Sequence, residues 1–297
     1  MPHQARKAHP DGRYRLDRPD DVAWAKTTAQ LVKQLDPHHH PVTVHPVVSA
    51  STHGASPRDP FDAPWRIGEF FGEGDELDVL CQQTGQAGEG VTWDDRLQCW
   101  VGDAPDVVAS LRADRRFRKP VLNTESGYEY LRGHPTEKKQ VHHTDKVRRT
   151  SWRIVCAGGY FAAGFHGTIG HSDAWNRIDA PNRYTFTVQD EGAASQLVVL
   201  YDFFTALPFW RLQPFEGVTG KAVVALAEPG KLYVVYLPQG GDVTVDLSVA
   251  QGPLTAQWFN PRDGLAGEPF PAMAGKAGRF QAPDGLDWVL QLRETPR

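Results

Sequence analysis

The chain has 297 residues, of which 40% are hydrophobic and 23% charged, with a formal net charge of −4. That length fits two domains and that composition fits a globular fold with a sizeable core, while the lack of any basic excess argues against a nucleic-acid partner. No apolar run approaches the about 20 residues that cross a bilayer, so no membrane partner is expected.

Three cysteines, Cys81, Cys99 and Cys156, are unevenly spaced and form no CxxC pair, which weakens zinc, redox and disulfide-framework readings. The "PHHHP" stretch at 37–41 offers three histidines. Adjacent side chains in a Pro-flanked turn diverge, and no second ligand cluster is nearby, so a solvated loop is the better reading. No metal and no cofactor are expected. The opening "MPHQARKAHPDGRYRLDRPDD" is polar and lacks the apolar centre of a signal peptide.

Along the chain, "RPDDVAWAKTTAQLVKQLDP" reads as a helix. Asp20 or Asp21 caps it, Pro37 ends it, and Val22, Trp24, Leu31, Val32 and Leu35 form its apolar stripe. "PVTVHPV" reads as a short buried strand ending near His45. "ELDVLCQQTG" is a second strand, ending at Gln82-Gln83-Thr84. "DAPDVVASLRADRRF" is helical. "KPVLNTES" is a third strand, ending at Glu125. "TDKVRRTSWRIVCAGG" is a helix closed by Gly158-Gly159. "GYFAAGFHGT" is a fourth strand, ending near His166. "EGAASQLVVLYDFFTALPFWRLQP" is a helix that Pro208 kinks or ends.

His45, Gln83, Glu125 and His166 therefore recur at strand ends, 38, 42 and 41 residues apart. This is a strand–helix rhythm, as in a (β/α) barrel or a doubly wound sheet, where the site lies at the carboxyl ends of the strands. From about residue 215 the pattern changes to short alternating strands between Gly, Pro and Asp turns. "PQGGD" reads as a hairpin turn there. The expected fold is mixed α/β followed by all-β. Residues 1–214 form one domain with four strand–helix units, and 215–297 form a small antiparallel β-sandwich with Trp258 and Trp288 in its core.

The stretches "KPVLNTESGYE", "RRTSWRIVCAGGYFAAGFHGT", "LYDFFTALPFWRLQP" and the tail from "LYVVYLP" through "WFNPRDG" to "APDGLDWVLQLR" resemble the apiosidase-like glycoside hydrolases. The likeness runs from about residue 20 onward. It implies a (β/α)8 TIM barrel with a C-terminal β-sandwich that is named for collagen binding. It implies a retaining mechanism with a nucleophile at the end of strand seven, the position of Glu125. By this register the four strands here are strands five to eight, the C-terminal half of the barrel. The acid/base carboxylate, at the end of strand four, would then lie upstream of Met1, and a separate N-terminal half-barrel is a possible partner. The family also implies an extracellular or periplasmic location.

The residues themselves leave alternatives open. Glu125 reads as nucleophile or as a loop carboxylate capping the next turn. Glu129 would share its strand end and so cannot face it across a glycosidic bond. His45, Gln83 and His166 can hydrogen-bond sugar hydroxyls or serve as structural groups at the rim. Asn123 can orient Glu125 or point into the barrel. Tyr128, Trp65 and Trp93 fall in loops after strands, to stack on sugars or to pack. The expected function is the C-terminal portion of a retaining glycoside hydrolase acting on polysaccharide side chains, inactive alone. A non-catalytic carbohydrate- or matrix-binding protein is the alternative.

Overall fold

A computed structural model describes residues 19–45, 67–82, 92–94, 99–101, 107–129, 144–165 and 193–295. In the first part α1 (Pro19–Leu35), α2 (Ile67–Phe71), α3 (Val107–Arg115), α4 (Thr144–Cys156) and α5 (Ala193–Thr205) accompany β1 (Leu80–Gln82), β4 (Val121–Glu129) and β5 (Tyr160–Phe165). These three strands form a parallel sheet in the order β1-β4-β5. A small antiparallel pair, β2 (Thr92–Asp94) and β3 (Cys99–Val101), stands apart.

One face of the sheet is covered. Leu80 and Val121 join Leu111 of α3 and Trp152 and Ile154 of α4 in one core. The helix α4 ends as its sequence requires. Gly158 adopts φ 80°, its N–H bonds to Val155 O, and the Gly159 N–H bonds to Ile154 O, which satisfies the last carbonyls. Because this short turn leads straight into β5, the start of α4 lies at the carboxyl end of the strands. On the other face Cys81, Leu122 and Tyr160 share a level across the sheet. There Cys81 is buried, Leu122 is half-buried and Tyr160 is 53% exposed.

Two expectations fail here. "PVTVHPV" is no ladder strand over its described residues, 41–45. Side chains replace the ladder: the Asp78 carboxylate accepts the Val42 N–H, and the Thr43 hydroxyl donates to Val79 O. One main-chain bond, Asp78 N–H to Val42 O, remains. In α1 the buried residues are Ala25 and Ala29, whereas Trp24 and Leu35 of the expected stripe are 62% and 72% exposed. Only small side chains fit where α1 lies close to its neighbours, and its large apolar face looks away from them.

The second part is two stacked sheets. The six-stranded sheet has the order β12-β11-β14-β9-β8-β6. Its strands are β6 (Gln213–Pro214), β8 (Val224–Glu228), β9 (Leu232–Leu237), β11 (Leu254–Phe259), β12 (Phe270–Ala272) and β14 (Trp288–Glu294). The three-stranded sheet has the order β13-β10-β7, from β7 (Val218–Gly220), β10 (Asp242–Asp246) and β13 (Ala277–Gln281). The sequence boundary expected at 214/215 follows β6, so the larger sheet draws its first strand from just upstream of it.

Strand β9 does not alternate apolar with polar. Leu232, Val234 and Tyr236 enter the core shared with the helices, and Tyr233, Val235 and Leu237 enter the core between the sheets. A strand covered on both faces reads as a continuous apolar run. "PQGGD" is likewise no hairpin. Both edges of β9 are taken by β8 and β14, and β10 pairs with β7 and β13 instead. Gly240 and Gly241, at φ 57° and 80°, carry the chain from one sheet to the other.

The two parts share one core. Trp152 is fully buried, stacked on Tyr236 at 5.7 Å and edge-on to Phe203 at 5.2 Å. At the start of α4 the Arg148 guanidinium forks onto Asp287, with Nε and Nη2 each 2.9 Å from a carboxylate oxygen. Tyr236 donates to the same carboxylate at 3.1 Å. Burial opposes the Arg148 charge, but the bonds and charges of Asp287 and Asp145 outweigh it and raise its pKa. Burial, then the Asp287 charge, pushes the Tyr236 hydroxyl well above its ordinary range.

Candidate active site

The strand ends give the site its frame. β1, β4 and β5 run parallel, so residues following each strand emerge at one edge of the sheet. β4 is central and differs from expectation, because it does not stop at Glu125. It continues to Glu129 alongside β5 by way of two register shifts, between Asn123 and Ser126 and between Ser126 and Glu129. Three residues of β4 span two of β5 at each shift, so Glu125 sits in a bulged stretch. Bulges of this kind bend a strand and re-aim side chains, and they are frequent beside active sites. For the same reason Tyr128 belongs to β4 and not to a following loop; Trp93, also expected in a loop, lies in β2, paired with Trp100 of β3.

Asn123 is fully buried and level with Gln82 of β1 and Phe161 of β5. It lies two residues after Val121, on the helix-covered face. His45 is exposed, at the end of the segment beside β1. Gln83, His166 and Trp65 lie outside the described residues.

Sequence reasoning passed over the groups that fix this edge. The Gln82 side-chain amide donates to Asp114 Oδ2 and to Ser110 O, and the Ser110 hydroxyl donates back to Gln82 Oε1. Asp114 also accepts the Gly68 N–H at 3.0 Å, so β1, α2 and α3 meet on one buried carboxylate. The spacing of Ser110 and Asp114, four apart on one helix face, was the available signal. Lys119, just before β4, donates to the carbonyls of Phe71, Gly74 and Leu77, and so ties the 71–77 loop to the root of the strand. Burial lowers the Lys119 pKa against the pull of Glu76 and Asp78.

The histidine loop is explained by a neighbour. The Asp36 carboxylate accepts the N–H groups of His38 and His40, and these two bonds lower its pKa. Among the described residues no group of three His, Cys, Asp or Glu could hold a metal ion. Among the same residues no helix is long and apolar enough to cross a membrane. Cys81 and Cys156 are buried thiols whose pKa values burial raises.

Residues 8–211 match the family model described as the apiosidase-like catalytic domain. The chain belongs to the apiosidase-like family. Residues 217–293 match a second model, "Putative collagen-binding domain of a collagenase". Among solved structures, a protein titled a glycoside hydrolase aligns with TM-score 0.67 at 19% identity, over 96% of this chain and 64% of its own. A family 5 glycoside hydrolase from Bacteroides vulgatus ATCC 8482 aligns with TM-score 0.68 at 20% identity, over 95% of this chain and 61% of its own. These likenesses concern the fold. The chain thus spans a little over three-fifths of the length of these two structures. No curated protein gives a match. The apiosidase-like assignment makes this a member of a carbohydrate-active enzyme family, of mixed α/β architecture with a C-terminal antiparallel β region.

Proposed function

We propose that this chain is the C-terminal portion of a retaining glycoside hydrolase acting on polysaccharide side chains, with Glu125 as nucleophile. The observation that carries the reading is Glu125 in the bulged central strand of a parallel sheet inside the apiosidase-like match. Residues 1–214 supply the C-terminal half of a (β/α)8 barrel, with β1, β4 and β5 as strands six to eight and the segment at 41–45, which forms no ladder, in the place of strand five, and residues 215–297 supply the appended sandwich. His45, Gln83, Tyr128 and His166 line the sugar site around Glu125. Asn123, buried behind the strand, supports it from the helix side.

Retaining chemistry needs two carboxyl groups about 5 Å apart, one attacking the anomeric carbon while the other protonates the leaving oxygen. The second carboxylate comes from the four-strand half that completes the barrel, on a longer chain or a separate one. Three features favour such a complement: the exposed Tyr160 on β5, the exposed apolar face of α1, and the exposed Val198 and Tyr201 on α5. The 297 residues alone should not turn over an aryl glycoside, and the completed barrel should. Glu125→Gln in the completed enzyme should remove nearly all turnover. Undiminished activity in that variant would sink the assignment.

A further inference from the structure

The sandwich carries a groove of about 490 Å³ that none of the contacts above uses. Trp258, Trp288, Phe270 and Leu265 supply its apolar wall, with Asn260 and Glu268 among its polar groups. Trp288, expected in the core, is only half-buried and is held as a platform. Its Nε1 donates to Asp284 at 2.7 Å, and the Arg262 guanidinium sits 4.8 Å from its ring centre. Trp258 meets it edge-on at 6.4 Å, so the two indoles form a corner. Trp258 is 8% exposed and belongs to the core between the sheets, so it backs the corner while Trp288 supplies the accessible ring. Glu268 is exposed.

The groove thus offers one accessible indole, Trp288, fixed against a second, with the polar side chains of Asn260 and Glu268 beside it. A sugar ring has the matching chemistry, with C–H groups over its face and hydroxyls at its rim. Charge narrows the class. Arg262 is already engaged by Asp287 at 3.6 Å and Asp284 at 4.0 Å, which leaves the Glu268 carboxylate to repel acidic glycans. Position adds a second argument. Trp288 follows Asp287, which is bound to Arg148 at the start of α4, the end of the helix layer to which the carboxyl end of β4 points.

We propose that this groove binds a main-chain segment of a neutral polysaccharide. The proposal rests on the hydrolase reading, in that a chain held here presents its branches toward the Glu125 side of the molecule. A triple-helical peptide needs an extended surface, whereas this is one local depression.

The test is titration calorimetry of the full chain with neutral hexasaccharides of glucan, xylan and mannan, against polygalacturonate and a triple-helical Gly-Pro-Pro repeat peptide. At least one neutral hexasaccharide should bind, and Trp288→Ala should weaken it about tenfold, the worth of one stacked ring. Glu268→Lys, at an exposed position that spares the fold, should admit polygalacturonate. Absence of neutral-glycan binding, binding indifferent to both variants, or preference for the peptide would overturn the proposal. Binding is read without turnover, so its failure leaves the Glu125 assignment standing, and failure of hydrolysis leaves the groove standing.

Discussion

Strands β9 and β5 are both six residues long and meet different surroundings. β9 is hydrogen-bonded along both edges, lies between two cores, and buries all six side chains. β5 pairs with β4 alone among the described strands, and it begins with a half-exposed tyrosine, Tyr160. The sandwich is closed by its own sheets and by α4. Among the described residues the α/β layer has helices on one side of its sheet, and both α1 and α5 show apolar side chains to solvent. One region satisfies its own hydrophobic demand, and the other presents surface that a partner element can use.

The largest test of the contrast is at the shared core. Trp152→Ala should cost about 3–5 kcal/mol in the denaturant midpoint, the range for deleting a buried indole. Trp152→Phe should cost much less, since the indole N–H has no acceptor and its loss leaves nothing unpaired. If Trp152→Ala unfolded the α/β layer while the sandwich kept its near-ultraviolet signal, the two regions would be energetically separate.

Arg148→Ala comes next. Removing Arg148 takes the two-pronged partner from the buried Asp287 carboxylate and leaves it Tyr236 and the more distant Arg262, and about 3 kcal/mol should be lost. A triple change, Arg148→Met with Asp287→Leu and Tyr236→Phe, which also removes the hydroxyl that donates to Asp287, should recover most of it. No recovery would mean that the pair does more than cancel its own desolvation.

A smaller effect is expected in acid. The bond from Lys33, then the Val42 N–H, holds the Asp78 carboxyl below its usual range. Its contribution is therefore present above about pH 4, the unfolded value, and is lost as pH falls through the lower folded value. Asp78→Asn should flatten the acid limb of the stability curve by well under about 1 kcal/mol, because the group is partly exposed and screened. A steeper limb in the variant would contradict this.

The smallest effect should come from Trp24→Glu with Leu35→Glu on α1. Both positions are mostly exposed, so stability of the chain alone should move by no more than about 0.5 kcal/mol per site. The same pair should abolish co-purification with the complementary half-barrel. Loss of folding instead would mean that this face is used within the chain.

Local pattern made most elements legible. α4 was readable from Val147, Trp152 and Ile154 and from its Gly-Gly stop, and β1, β4 and β5 from short apolar runs before polar residues. The same signals put Glu125 at a strand end, whereas it lies in the middle of β4. They could not show that β4 runs on to Glu129, because the bulges depend on how β5 pairs with it. Nor could they separate Gln82, turned to Asp114, from a ligand-facing neighbour, because face is set by register.

The sequence by itself determined the type of most elements, the change of character near residue 215 and the family, since these depend on periodicity, turn chemistry and short-range motif. Only the tertiary structure decided that β9 is buried twice over and that Gly240-Gly241 crosses between sheets. It alone decided that Arg148 and Asp287, 139 residues apart, lock the two regions together. Those facts depend on which surfaces meet, and a surface's partner is set by long-range packing that no local window contains.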